Sequence, residues 1–354
     1  MKKIPELTKR LAEDTLRAAL ITNDLNIRYL TNLPIEDAYV LLADGDAYLL
    51  TDFRYYEAAT TALGTEVSVV TPKSKMEFIL DILKQKNIDT LAFEGDNATY
   101  SFYNLLIDHL PGIKITDLGS TLEVMRMIKT EDELDKIQKS QDITDLAFSE
   151  LLKSIKPDMT EIEVAAELEY IMRRHGSEGP AFSTIAVSGD ASALPHGIPR
   201  PEKLKRGFLT LDFGSKFDGY CSDMTRTIVI GRADADMRKL YNTVLSAQTA
   251  ALEYLAVGRD AGEADATARR IIDADYPGAF GHSLGHAVGL LVHEMPALSP
   301  RSNGKLLTAG NVVTVEPGIY LFGKYGCRIE DMVAIKDNGI HNFTHSTKEL
   351  IEIL

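Results

Sequence analysis

Three of the eight histidines, His282, His286 and His293, fall within one short stretch, GHSLGHAVGLLVHE, from Gly281 to Glu294. Such a cluster is, by itself, also what a satisfied polar patch would look like. Two further segments change that reading. Upstream, LTLDFGSKFDGYCSDMTRT carries Asp212 and Asp223, eleven residues apart, and downstream VVTVEPGIY carries Glu316 and CRIEDM carries Glu330. Each acid interrupts a β-rich apolar run, where an unpaired charge is costly to bury. Buried acids need a cation, and four acids with a histidine suit one or two metal ions. Carboxylates can bridge a metal pair at roughly 3.5–4 Å, and such a pair lowers the pKa of a bridging water until it is hydroxide near neutral pH. An oxygen-rich shell with one nitrogen fits Mn²⁺ or Co²⁺ at least as well as Zn²⁺. The remaining histidines could bind substrate or polarise a carbonyl, and a carboxylate could carry a proton to a leaving nitrogen. Hydrolysis of an amide is the natural reaction class.

Other constellations are missing. The P-loop pattern and His-Glu-x-x-His do not occur. His293-Glu294 is followed by Met295-Pro296, and the proline would stop the helix that a His-Glu-x-x-His zinc site needs.

The elements that must position these residues can be read from pattern. Thr130 with Glu133, and Thr160 with Glu163, are Ser/Thr-x-x-Glu capping boxes that open helices to about Ile155 and His175. Strands are expected over Phe208–Phe213 and Tyr220–Ile230, turning at Ser215–Gly219. The order then repeats. Asp234 opens a helix to about Ala256, Asp260 with Glu263 resembles another capping box opening a helix to about Ala274, and strands follow near Asn311–Leu321 and Cys327–Lys336. Thr130 and Asp234 are 104 residues apart, Asp212 and Glu316 are 104 apart, and Asp223 and Glu330 are 107 apart. This predicts a domain of two similar helix–helix–hairpin halves, each hairpin supplying one acid per strand. Strand parity puts Thr210 with Asp212 on one face, and Asp223 with Thr225 and Thr227, Thr314 with Glu316, and Arg328 with Glu330 on others. The polar faces would converge between the hairpins while the apolar faces pack on helices.

Ahead of this lies a separate α/β unit. Apolar runs at Ala18–Ile21, Tyr39–Leu42, Ala47–Leu50, Ser68–Val70 and Thr90–Phe93 alternate with helical patterns at Arg54–Leu63 and Lys75–Leu83. Nothing in it has ligand spacing, and Asp52, Arg54 and Tyr55 are read as surface or interface residues. The boundary falls near Leu122–Lys129, giving domains 1–125 and 126–354.

The chain of 354 residues is long enough for two domains. Its formal charge of −14 argues against a nucleic-acid partner, which would require excess Lys and Arg. No apolar run approaches the ~18 residues that span a bilayer, and the start has no apolar h-region of a secretory signal. Two cysteines, Cys221 and Cys327, are too few for a disulfide framework. The expectation is a cytoplasmic protein with both thiols buried and free.

GHAVGLLVHE, VEPGIY, RIEDM and DFGSKFDGYCSDMTRT resemble the pita-bread metallopeptidases, the creatinase, aminopeptidase P and prolidase family, and FSTIAVSGDASALPHGIP resembles the segment before that family's first metal-binding strand. LITNDLNIRYLTN and LTDFRYYEAA resemble its creatinase-type N-terminal domain, so the likeness spans essentially the whole chain. The resemblance implies an α/β (α+β) protein with a creatinase-like N-terminal domain and a pita-bread catalytic domain of two pseudo-symmetric halves. It implies five metal ligands for two divalent cations, Mn²⁺ first and Co²⁺ or Zn²⁺ next. Asp212 would hold one metal, Asp223 and Glu330 would bridge both, and His286 and Glu316 would bind the second, with Glu316 also moving a proton. His196, His282 and His293 match histidines that contact substrate or the tetrahedral intermediate, and Arg328 matches an arginine beside the second bridging acid.

The implied activity is hydrolysis, by a metal-bridging hydroxide, of the bond preceding proline in small peptides, in the manner of an Xaa-Pro dipeptidase. The rival reading is an Xaa-Pro aminopeptidase acting on tripeptides and longer chains. A methionine aminopeptidase is disfavoured by the N-terminal domain. A metal-free creatinase-like hydrolase and an inactive pita-bread binding protein are disfavoured because all five ligand positions are occupied. The family's homodimer is expected. Two positions depart from its pattern. Ala287 stands where Gly usually follows the ligand histidine, and Ala297 where many members carry an Arg that in prolidases can engage the substrate carboxylate. Arg301 is the candidate substitute.

Overall fold

The five apolar runs of the first unit all form strands, and a sixth, Lys114–Asp117, joins them in one sheet. The computed structural model describes residues 3–354, which part into two units between Met125 and Arg126. In the first, the sheet order is Ser68–Val70, Asp46–Leu50, Tyr39–Ala43, Ala18–Ile21, Thr90–Phe93, Lys114–Asp117. Ala18–Ile21 is buried throughout and lies at the centre. It pairs antiparallel with Tyr39–Ala43 and parallel with Thr90–Phe93. The hairpin at Asp44-Gly45 has positive φ at both residues, 49° and 85°, as a two-residue turn matching strand twist requires. The helix expected over Arg54–Leu63 begins only at Tyr56, because Asp52 accepts the Arg54 N–H at 2.8 Å and holds the intervening turn open. Lys114–Asp117 escaped pattern reading because it is short and only half buried.

In the second unit the four expected helices form as Glu131–Ser154, Glu161–Arg174, Ala235–Tyr254 and Ala261–Asp275. Both threonine capping boxes are complete: each Thr hydroxyl accepts the N3 amide while the N3 Glu reaches back to the cap. The third is a correction. Asp260 accepts from the Gly262 and Glu263 amides, but the Glu263 side chain turns to Arg270 at 2.8 Å.

A second correction concerns the strands. Three of the four expected runs are broken into two pieces, Tyr220–Cys221 with Met224–Ile230, Val312–Val315 with Gly318–Leu321, and Tyr325–Arg328 with Asp331–Lys336. Asp223, Glu316 and Glu330 lie in the breaks, and Asp212 alone stays inside a regular strand, Gly207–Phe213. Pro317 has no N–H to donate to a ladder. Around the breaks the backbone finds other partners: Glu316 N donates to Leu284 O at 2.8 Å and Glu330 N to Thr225 O at 3.1 Å.

The apolar faces pack as expected. Leu209, Leu211, Phe213, Ile228 and Ile230 meet Phe148, Leu151, Val164 and Leu168 of the first helix pair in one core. Val313, Val315, Ile329 and Val333 meet Leu240, Val244, Ala264 and Ala268 of the second in another. Each fully buried Leu, Ile or Val contributes about 1.5–3 kcal/mol by leaving water. Cys221 and Cys327 are buried and free. Among the described residues no helix is long and apolar enough to cross a membrane.

Candidate metal centre

The two hairpins are stitched along their polar faces. Thr225 Oγ1 donates to Glu330 Oε2 at 2.7 Å, and Thr227 Oγ1 donates to Arg328 O at 2.9 Å while accepting the Arg328 N–H at 3.2 Å. Arg328 reaches the first hairpin from the second: its Nη2 donates to Asp212 Oδ2 at 2.6 Å and its Nε to Thr225 Oγ1 at 3.0 Å. Gly285 allows the strand carrying His286 to approach, since a Cβ there would lie 2.0 Å from Thr314 O. His286 then places Nε2 3.3 Å from Glu316 Oε1 and 3.6 Å from Asp223 Oδ2.

Ligand atoms of Asp223, His286 and Glu330 lie within 4.8 Å of one another. Asp212 is turned toward Arg328 through one oxygen, while its Oδ1, Asp223 Oδ1 and Glu330 Oε1 are buried with no hydrogen-bond partner. Such orphaned carboxylate oxygens are costly unless a cation completes them. The wall holds four carboxylates and one permanent cation, Arg328, so the site is short of positive charge. Burial raises the Asp223 carboxyl far above the ordinary range, and the charge of Glu330 adds to it. Burial, then the charge of Glu316, does the same to Glu330, and burial lifts Asp212 despite Arg328. Glu316 goes the other way. Burial would raise it, but the hydrogen bond and charge of His286 outweigh that and keep it ionised. An oxygen-rich set with one imidazole therefore fits divalent cations, and fits poorly without them.

A cavity of about 520 Å³ opens over these groups. His196, His282 and His293 line it together with all four acids, His286 and Arg328. His293 and His196 are exposed, and the His293 ring lies 4.2 Å from that of His286, centroid to centroid. Burial lowers the pKa of both His282 and His293, keeping them neutral near pH 7. Phe182, Ile198, Pro199 and Val292 supply an apolar side.

Two family models match the chain. The family model described as metallopeptidase family M24 matches residues 135–337, and that described as the creatinase/prolidase N-terminal domain matches residues 3–128. The chain belongs to metallopeptidase family M24. It is 36% identical over 353 residues to an Xaa-Pro dipeptidase of Pyrococcus furiosus, covering 99% of each chain. Among solved structures it is similar to an Xaa-Pro dipeptidase from Bacillus anthracis, with a TM-score of 0.94, 38% identity and 99% of each chain covered. It is also similar to an X-Pro aminopeptidase from Thermotoga maritima, with a TM-score of 0.90 and 35% identity, covering 95% of this chain and 97% of that one.

One group in this M24 site was missed by sequence reading. Tyr320 OH accepts from Arg328 Nη1 at 2.8 Å, so its proton goes to His282 Nε2, also at 2.8 Å. His282 Nδ1 in turn donates to Ser283 O at 2.8 Å. That chain sets the neutral tautomer of His282, and burial keeps Tyr320 protonated by raising it to about 12. The available signal was parity: Tyr320 lies four residues beyond Glu316 in VEPGIY. Ala287 is fully buried beside a bulge in the His286 strand, and Ala297 stands opposite His286 and lines the cavity. Arg301 does not fill the gap left at Ala297. It is exposed, in a short turn at Pro300–Ser302, and is not part of the cavity wall.

Proposed function

We propose that residues 126–354 catalyse hydrolysis of the peptide bond preceding proline in small peptides, Xaa-Pro dipeptides first, and that residues 1–125 form an accessory domain. Asp212, Asp223, His286, Glu316 and Glu330 would hold two divalent cations, with Mn²⁺ ahead of Co²⁺ and Zn²⁺ for an oxygen-rich set. The observation that carries this reading is the trio of buried, partnerless carboxylate oxygens on Asp212, Asp223 and Glu330. Bound there, the cations supply Lewis acidity toward a water and the scissile carbonyl.

The chain's own groups do the rest. Glu316, ionised and 3.3 Å from His286, accepts a proton and returns it to the departing proline nitrogen. His293 and His196, exposed on the cavity wall, donate hydrogen bonds to the carbonyl oxygen as it gains charge. His282, with its tautomer set by Tyr320, orients the peptide. Arg328 holds Asp212 in place at 2.6 Å. The apolar side formed by Phe182, Ile198 and Val292 suits a pyrrolidine ring.

Ala297 supports a second reading. Arg328 is engaged by Asp212, Tyr320, Thr225 and the Pro195 carbonyl. Among the described residues, no other Lys or Arg lines the cavity to meet a dipeptide's carboxylate. An Xaa-Pro aminopeptidase acting on tripeptides and longer chains fits that wall. Chelation is expected to abolish cleavage of Xaa-Pro peptides and Mn²⁺ or Co²⁺ to restore it; full activity in chelator would defeat the reading. On the restored protein, kcat/KM for Xaa-Pro against Xaa-Pro-Yaa decides between the two. The reading extends to a cytoplasmic homodimer, supported by the free buried thiols and the family resemblance, and checked by sedimentation.

A further inference from the structure

Directly after His293 lies an acid that the reaction does not use. The Glu294 side chain is 3% exposed, and it is held between two buried cations: Arg126 Nε lies 3.2 Å from Oε1 and Lys129 Nζ 3.2 Å from Oε2, with those side chains 8% and 1% exposed. Arg126 and Lys129, one on each oxygen, fix that carboxylate in space. The cations are themselves anchored. The Lys129 N–H donates to Gly310 O at 2.9 Å, and Asn311 Nδ2 donates to Met127 O at 3.0 Å.

The carboxylate fills the inside of the turn that leads to His293. Oε1 accepts the Leu291 N–H at 3.2 Å, and a Cβ on Gly289 would lie 2.5 Å from Oε2. The turn is closed by Gly289 N donating to Leu291 O at 2.9 Å. Its outer carbonyls hold the segment before Asp223: Cys221 N donates to Gly289 O at 2.8 Å and Cys221 Sγ to Leu290 O at 3.6 Å. One buried ion cluster thus braces both the loop presenting His293 and the strand break presenting Asp223.

We propose that Glu294, clamped by Arg126 and Lys129, is a positioning residue that holds the 289–293 turn so that His293 faces the reacting carbonyl. The proposal rests on the role given above to His293. An imidazole displaced by about 1 Å can cost on the order of 10²-fold in rate, whereas a purely structural salt bridge affects stability and leaves the folded enzyme's turnover alone.

The test is a double-mutant cycle on the Mn²⁺-reconstituted enzyme with an Xaa-Pro peptide. Glu294→Gln should lower kcat by about 10- to 100-fold, with KM and metal content close to wild type. In a His293→Ala background the same substitution should cost less than about twofold, because the group being positioned is gone. In the metal-free proteins, Glu294→Gln should speed amide hydrogen exchange over 289–293 by about tenfold or more, with the helix over 131–154 unchanged. Should Glu294→Gln fail to fold, Lys129→Met should show the same pattern more weakly. A kcat within about twofold of wild type, equal losses in both backgrounds, or unchanged exchange over 289–293 overturns the proposal. Inactivity of the wild-type enzyme on Xaa-Pro peptides would instead sink the functional reading, and the exchange measurement would still judge the clamp.

Discussion

Glu330 and Asp331 are consecutive residues, 1% and 0% exposed, and they face opposite surroundings. Asp331 is fully met: Oδ1 accepts Arg226 Nη2 at 2.8 Å, and Oδ2 accepts Lys348 Nζ at 2.7 Å and Asn342 Nδ2 at 3.1 Å. Burial would raise its carboxyl, but Arg226 and Lys348 outweigh that and hold it below the ordinary value. Glu330 receives one hydroxyl at Oε2, from Thr225 at 2.7 Å, and nothing at Oε1. Burial and the charges of Glu316 and Asp212 drive it far up. Burial alone therefore does not mark a proposed metal ligand. What distinguishes Glu330 is the missing partner, among acids that repel it.

Substitutions can set the two sides of this corner against each other. The largest effect is expected on the metal side. Asp223→Ala should lose bound metal and lower kcat/KM by more than about 10³-fold, beyond the 10²–10³ cost of losing one oxyanion donor, as read by elemental analysis and peptide hydrolysis. Asp331→Asn should keep the metal but lower stability by about 3–5 kcal/mol, since it leaves Arg226 poorly compensated; denaturant unfolding reads this. Glu330→Gln should do the reverse, weakening metal binding while raising the melting temperature of the metal-free protein at pH 7, because a carboxyl whose pKa the fold drives up destabilises the fold there and the amide does not titrate. If both corner substitutions shift stability in the same direction, the contrast drawn between the two acids is mistaken. His293→Ala should retain metal and lower kcat by roughly 10²-fold. The smallest effect is expected at the mouth. Ala297→Arg should improve KM for Xaa-Pro dipeptides over tripeptides by about tenfold, roughly 1.4 kcal/mol, and no change would remove Ala297 as a determinant of length.

Much of this arrangement was legible because it is local or periodic. The Thr130–Glu133 and Thr160–Glu163 boxes are four-residue signals with a direct mechanism, and both helices start where they say. Alternation along Thr210 and Asp212 placed those side chains on the face that meets Thr225 and Thr227, and the two strands pair in that register. The breaks at Asp223, Glu316 and Glu330 were not legible from alternation, since a run of β-formers reads as continuous even where long-range bonds such as Glu330 N to Thr225 O take over the backbone. Tyr320 and Glu294 escaped for a related reason. Their roles depend on partners 38 and 168 positions away, His282 and Arg126, and no spacing rule connects such residues.

The most direct test is metal stoichiometry in the intact protein, measured after Mn²⁺ reconstitution and removal of free ion, with wild type and Asp223→Ala side by side. About two ions per wild-type chain, as a carboxylate-bridged pair requires, and far fewer in the variant would support the account. A wild-type protein that retains no divalent ion yet cleaves Xaa-Pro peptides at full rate would contradict it.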